Sequence, residues 1–440
     1  MRFFRAGAVV LAALIGLVSC NTDPNVAKVR YLESGNKYFD RGKYKEARIM
    51  YVRAKQKDQR YGMAYYKLGL TDVKLSSVAE AVQSFRRAIE LIPAAMPEHW
   101  DAVVRLSDIY LAVTRDKPIL EEVRNYVDQL LKRDPNSFDG HRLAADLAFA
   151  RAGEAYKVAQ KEEGAKLLDE AIAEYRKADA IKPAQLGVSM QLARVLQARQ
   201  DYTGAEALYR RVIDKDKSYQ QGYTELYRLF MYQRKAAEGE QVLKQAYQNN
   251  PKVYGFLKLL AMHYSIEKRR DDMLAVLQQI KSHAKEYEQA YLDVGDFYLR
   301  LGDGDSAIRE YREGMGKDAK KKATYEKRII EVLMRQGKRN EAAEINAQIL
   351  KDDPNDADAR GLSATFLLDR GDITRALQEL QAVVTRAPDN PVARYNLGRA
   401  HAARGEWEQA RQSFQKAIEL RPDYVLARLA LAQLQVSRNE

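Results

Sequence analysis

The stretch PVARYNLGRAHAARGEWEQARQSFQKAIELRPDY, residues 391–424, decides the fold. Leu397 and Gly398 set a large residue beside a small one. Ala410, Phe414 and Ala417 recur at helical spacing, Gly405 stands between the two runs, and Pro422 closes the second. Helical periodicity on both sides of a glycine predicts two helices joined by a tight turn. Glycine reaches the left-handed backbone region, and proline cannot extend a helical hydrogen-bond ladder. The unit then recurs. Pro354, Pro388 and Pro422 are 34 residues apart, and Pro183 and Pro251 are separated by twice that length. A lone helix pair cannot bury its apolar stripe, so such units must stack on one another.

The register extends outward from this stretch. Residues 28–61 carry Gly35, Tyr38, Gly42, Ala47, Tyr51 and Ala54, and residues 62–95 carry Leu68, Gly69, Ala81, Phe85, Ala88 and Pro93. Residues 288–321 carry Gly295, Tyr298, Gly302, Ala307 and Tyr311 at the same offsets. Small residues such as Gly69 and Ala81 let two helices approach, and an aromatic such as Phe85 or Phe414 fills the seam. Gly42, Gly302, Gly337, Gly371 and Gly405 fall at the expected turns. Other units depart. Residues 220–253 place Tyr227 where a small residue is expected, and residues 254–287 keep almost none of the signature. Pro93 to Pro135 spans 42 residues and Pro135 to Pro183 spans 48, which predicts lengthened helices or loops in the third and fourth units.

This pattern resembles the tetratricopeptide repeat over nearly all of residues 28–440. The resemblance implies an all-α chain, a right-handed α-solenoid of about eleven helix hairpins. The hairpins would occupy residues 28–424, and a C-terminal capping helix over residues 425–440 would cover the open end. Composition agrees. The chain has 440 residues, 46% hydrophobic and 30% charged, with 24 Gly and one Cys. Collagen needs more glycine, a disulfide-stapled module more cysteine, and a disordered chain fewer apolar residues.

The first residues read as a separate object. Arg2 and Arg5 precede an uncharged run, Ala6–Val18, that ends in Leu17, Val18, Ser19 and Cys20, the only cysteine. The run is too short to span a bilayer, which takes about twenty residues, and fits a signal-peptide core. It resembles the lipobox of bacterial lipoproteins. That resemblance implies a signal peptide over residues 1–19, lipid on Cys20 and a short linker over residues 20–27. It implies an address in the bacterial cell envelope, lipid-anchored, at the periplasmic face of the outer membrane if the host has two membranes. Removal of Arg2 and Arg5 lowers the formal charge from +12 to +10.

No motif of catalysis emerges. His99, His141, His263, His283 and His401 show no metal-binding spacing, and His401 stands where the repeat expects a packed core residue. Gly314-Met315-Gly316-Lys317 lacks the earlier glycine and the following Ser or Thr of a phosphate loop. We therefore expect no catalytic residues, no metal and no cofactor, and a scaffold rather than an enzyme.

In the family, the first helices of the hairpins line the surface that takes peptides or extended protein segments. The repeat offsets put Tyr66, Met190, Arg194, Arg228, Tyr232 and Met262 there. The Lys/Asn clamp of some members is absent, because Leu32 and Lys67 stand in its positions beside Asn36. The first repeat is strongly basic, with eleven Lys/Arg against four Asp/Glu over residues 28–61. Lys37, Arg41, Lys43, Lys45, Arg48, Arg53, Lys55 and Lys57 are the candidate residues for a membrane surface or a polyanion. Anionic head groups attract such clusters at roughly 1 kcal/mol per close cation. The expected partners are envelope proteins or extended peptide segments of an assembly or export system, and the membrane through the N-terminal lipid. An anionic polysaccharide is the alternative. Nucleic acid is disfavoured, because the excess charge sits at one end of an exported chain.

Overall fold

These repeats form helices of 11 to 21 residues joined by turns. The computed structural model describes residues 23–437, which hold 23 α-helices and one 3-10 turn at Ala319–Lys321. The helices follow one another as eleven pairs and a last single helix. They divide into two compact units, the first ending at Val242 and the second beginning at Leu243.

The first unit opens with α1 (Pro24–Asp40) and α2 (Tyr44–Lys57), then α3 (Gly62–Lys74) and α4 (Val78–Leu91). Next come α5 (Pro97–Val113), α6 (Lys117–Arg133), α7 (Phe138–Lys157) and α8 (Lys161–Ile181). It continues through α9 (Leu186–Ala198), α10 (Tyr202–Lys215), α11 (Gln220–Tyr232) and the start of α12 (Ala236–Asn249). α1 starts four residues before the expected beginning of the first repeat. Asp23 caps it by accepting from the Asn25 amide at 2.9 Å, and Pro24 takes the first helical position, where no amide donor is needed. Consecutive helices from α1 to α11 pack on each other, and α5 and α9 both also touch α7.

The second unit runs from the rest of α12 through α13 (Gly255–Ile266), α14 (Arg270–Ser282), α15 (Ala290–Arg300) and α16 (Gly304–Lys317). It ends with α17 (Lys322–Arg335), α18 (Arg339–Asp352), α19 (Ala357–Asp369), α20 (Ile373–Arg386), α21 (Pro391–Ala403), α22 (Trp407–Leu420) and α23 (Val425–Ser437). Residues 254–287, which lack the signature, still form α13 and α14. Here the Tyr254 and Tyr287 rings stack at 4.3 Å, the Tyr247 hydroxyl and the His283 Nε2 lie 3.1 Å apart, and Lys258 pairs with Asp293 at 2.8 Å.

The seam has the expected chemistry. A Cβ on Gly69 would lie 2.6 Å from the Phe85 ring, and one on Gly398 would lie 2.6 Å from Phe414. Gly35 faces Tyr51 and Gly295 faces Tyr311 in the same way. Where the seam aromatic is a tyrosine, its hydroxyl reaches a polar residue of the first helix. Tyr51 donates to Asn36 at 2.8 Å and Tyr311 to Asp296 at 2.5 Å.

The turns hold a difference. Ten of the eleven carry one left-handed residue. In five it is Gly42, Gly302, Gly337, Gly371 or Gly405, and in the others Ser76, Ala159, Gln200, Arg234 or Lys268. Helical periodicity places the turn whether or not a glycine is present. The helix terminus then imposes the left-handed conformation through amide-to-carbonyl bonds such as Asp201 to Leu196 at 2.8 Å.

α23 covers α22 with Ala427 and Leu434, and its exposed side mixes Arg428, Gln433 and Gln435 with apolar residues. Val425 is 70% and Val436 75% exposed, with Leu426 and Leu429 between them.

Candidate functional site

The departure of the third and fourth units from the 34-residue spacing builds a pocket in the first unit. α3 and α9 have 13 residues, whereas α5 has 17 and α7 has 20. Seven extra residues lengthen a helix by about 10 Å. A cavity of about 780 Å³ opens on the face where α5, α7 and α9 lie side by side. Each helix contributes one stripe at spacings of three and four. From α5 and the residues after it come Asp108, Leu111, Ala112 and Arg115. From α7 come Phe138, Arg142, Asp146, Phe149, Ala150, Gly153, Glu154 and Lys157. From α9 come Gly187, Val188, Gln191 and Arg194. Gly153, Glu154 and Lys157 belong to the extra turns of α7.

The floor is charged and closed on itself. Arg142, 19% exposed, donates to Asp108 at 2.7 Å, to Asp146 at 3.1 Å and to Asp139 at 3.4 Å. The Tyr175 hydroxyl donates to the other Asp146 oxygen. Burial disfavours the Arg142 charge, but the surrounding carboxylates, Asp108 foremost, outweigh it and hold its pKa above the ordinary value. Burial raises the Asp146 pKa against the opposing pull of Tyr175 and Arg142, and burial followed by the Asp146 charge raises that of Tyr175. Removing Arg142 would strand the buried Asp146, whereas Asp108 and Asp139 keep contact with water.

The rim is different. Arg194 pairs with Glu225 at 2.8 Å and Lys157 with Glu154 at 2.8 Å. Arg115 donates to the carbonyls of Leu111 at 2.5 Å and Thr114 at 2.6 Å, and makes no ion pair among the described residues. It is the cation lining this pocket that lacks an ion-pair partner among the described residues, whereas Arg142 faces three carboxylates.

Of the six residues assigned from repeat offsets to the first-helix face, Arg194 lines the pocket. Met190 does not, which corrects the expectation. It is 2% exposed and belongs to the core, because α9 is buried around most of its circumference. Tyr66 is likewise buried, which corrects the expectation for it too: it packs in the core beside Phe85, its hydroxyl donating to Asp101 at 2.8 Å. Arg228 is exposed and pairs with Glu225 at 3.2 Å. Tyr232 is 67% exposed, its ring 5.6 Å from that of Tyr202. Met262 lies half-buried in the second unit. Reasoning from the repeat missed Asp108, Arg142, Asp146, Phe138, Phe149 and Gly153. The over-long proline spacings were the signal that pointed at them.

In the basic first repeat, Lys37, Arg41, Lys43, Lys45, Arg53 and Lys57 are exposed and make no ion pair among the described residues. Arg48 is set apart by its 2.7 Å pair with the buried Asp72, and the Lys55 amine lies 5.6 Å over the Tyr65 ring. Val26, Val29 and Ile49 are exposed in the same repeat. Leu17, Val18, Ser19 and Cys20 lie outside the described residues.

His401 is half-buried rather than a packed core residue, its Nδ1 lying 2.6 Å from Glu406 at the turn. Gly314 belongs to α16, where a Cβ would strike Tyr325 at 2.7 Å, so packing explains it. Among the described residues no cluster of His, Cys, Asp and Glu suits a metal ion, and no helix is long and apolar enough to cross a membrane.

Hairpins of this size, with a small residue against an aromatic in the seam, define a helical-repeat protein. Comparison with known families specifies the repeat. Tetratricopeptide-repeat family models match residues 64–94, 189–215, 328–391 and 367–434, so the chain contains tetratricopeptide repeats. No curated protein matches the sequence. Among solved structures, yeast Tom70 is 12% identical, with 94% of this chain and 96% of that chain covered and a TM-score of 0.39. A thermophilic TPR protein from Thermus thermophilus is 17% identical, with 54% of this chain and 98% of that chain covered and a TM-score of 0.30.

Proposed function

We propose that this protein is a membrane-anchored adaptor lipoprotein of a bacterial envelope assembly or export system. It holds an extended segment of a partner protein on the first-helix face of its first unit. Tetratricopeptide repeats bind peptide or protein partners, and the observation that carries the reading is the pocket between α5, α7 and α9. Its apolar walls stand over a floor whose polar groups already satisfy one another, which suits binding without chemistry. The tether rests on the lipobox-like run ending at Cys20 and on the exposed cations of the first repeat. Pro24 lies four residues after Cys20, so α1 starts within about 15 Å of the lipidated residue.

Two measurements test the proposal. Palmitate fed to the native host labels the wild-type protein, and Cys20→Ser loses both the label and the membrane fractionation. A photo-crosslinking residue at Gln191, on the pocket, captures a discrete envelope protein, whereas one at Glu170, exposed on α8, does not. Equal capture from both positions, or from neither, refutes the adaptor reading.

The unpaired cations Lys37, Arg41, Lys43, Lys45, Arg53 and Lys57 favour a second reading, an anionic polysaccharide gripped by the first repeat. Salt-sensitive binding of purified acidic polymer, lost on reversing four of these charges, supports it. Binding that ignores salt and these charges eliminates it.

A further inference from the structure

We infer that the first hairpin, α1 and α2, lies against a surface of anionic phospholipid head groups, held by its unpaired cations and by exposed apolar side chains that dip between the head groups. This rests on the lipid tether proposed above and adds a second, non-covalent contact that fixes how the first unit meets the membrane. Charge, side-chain pattern and tether length support it separately.

Charge is confined to this hairpin. Residues 28–61 carry eleven Lys/Arg against four Asp/Glu, whereas residues 62–440 carry 60 against 56. Asp58 takes Lys28 and Asp72 takes Arg48. The other nine cations make no ion pair among the described residues, and the carboxylates left to face them are Asp23, Glu33, Asp40 and Glu46. Anionic lipid attracts such an excess within a screening length of its surface. The pattern then separates a membrane from a soluble polyanion. On α2, Lys45, Ile49, Arg53 and Lys57 follow in steps of four, away from the buried Ala47, Tyr51 and Ala54, and Ile49 is 51% exposed. On α1, Val26, Arg30, Glu33 and Lys37 share the side opposite the buried Ala27, Leu32 and Gly35, with Val29 beside them. An acidic polymer gains nothing from Val26, Val29 or Ile49, whereas the head-group boundary of a bilayer takes apolar side chains set among basic ones. No helix precedes α1 among the described residues, and α1 packs chiefly on α2, so the stack itself leaves these side chains uncovered. The third observation is reach. Pro24 lies four residues after Cys20, so lipid on Cys20 would hold the start of α1 within about 15 Å of the bilayer and keep a weak surface contact occupied.

The test uses the full chain purified from its native host, with Ile49→Cys carrying an environment-sensitive fluorophore. It is mixed with vesicles of phosphatidylcholine, alone or with one-third phosphatidylglycerol. On anionic vesicles the Ile49 probe should brighten by roughly twofold or more as it leaves water for the head-group boundary, and on neutral vesicles it should not. Molar salt, which cuts the screening length to about 3 Å, should reverse the change. Lys37→Glu, Lys45→Glu, Arg53→Glu and Lys57→Glu together should abolish it, with helicity by circular dichroism unchanged. A probe at Glu170→Cys, exposed on α8, should stay unchanged throughout. The inference is overturned if the Ile49 probe responds equally to both vesicles or ignores salt. It also falls if that probe responds to polygalacturonate and not to anionic lipid, which favours the polysaccharide reading. Flotation of the vesicles scores the tether separately. A chain that floats with both kinds of vesicle while its Ile49 probe stays unchanged keeps the tether and loses this inference. One that floats with anionic vesicles alone keeps this contact and loses the tether.

Discussion

Replacing Gln200, Arg234 and Lys268 together by glycine should stabilise the protein. These residues stand 34 apart and occupy equivalent turns, at φ +69°, +60° and +58°. All three are exposed. An L-residue in this region costs roughly 1–2 kcal/mol because its Cβ crowds the following carbonyl. Glycine removes that cost but loses about 0.5–1 kcal/mol of additional backbone freedom on folding. The net gain is about 0.5 kcal/mol per site, and about 1.5 kcal/mol for three sites that share no partner. The turn bonds persist, since Asp201, Lys235 and Arg269 donate their amides to Leu196, Phe230 and Tyr264, each at 2.8 Å, whatever the side chain. The reverse change, Gly302→Ala at φ +80°, should destabilise by about 1 kcal/mol. Urea titration of the full chain measures the shift in midpoint. Native-state hydrogen exchange assigns it to the altered hairpins, as a repeat array need not unfold in one step. A triple variant no more stable than wild type, or a neutral Gly302→Ala, would refute the argument that these turns are strained by their side chains.

Three further outcomes are expected. Gly69→Val should cost about 1–3 kcal/mol in urea titration, because any Cβ there collides with Phe85, itself fully buried. Arg142→Met should cost about 3 kcal/mol by stranding the buried Asp146, and adding Asp146→Asn should recover part of that loss; chemical denaturation of both variants checks it. Asp303 caps α16 by accepting from the Ser306 hydroxyl and, at 3.0 Å, from its amide, which hold its pKa below the ordinary carboxylate value. A lowered folded pKa stabilises above the unfolded value, so Asp303→Ala should cost about 1 kcal/mol at neutral pH. The gap between wild type and variant should close as the pH falls below about 4, which urea midpoints across that range will show.

The hairpins are legible because their determinants are local. Gly69 against Phe85 and Gly398 against Phe414 lie 16 residues apart, so the same short spacing recurs wherever the contact does. The unit at residues 254–287 shows how far such reading goes. Spacing places its two helices, while the Tyr254–Tyr287 stack and the Lys258–Asp293 pair that hold them have no counterpart in the repeat pattern. Met190 shows the opposite failure. Its offset matches the binding face, but a helix buried on most sides turns few of its residues to water.

By itself, the sequence determined the helix, the turn and the next helix, because periodicity, glycine and proline act within a few residues of one another. It also marked where the repeat is stretched. Only tertiary structure decided what the stretch is for. Asp108, Arg142, Tyr175 and Arg194 come from four different helices and meet at one pocket only when three hairpins stack. Which charges pair there, and that Arg115 does not, depends on distances between those helices rather than on spacing along the chain.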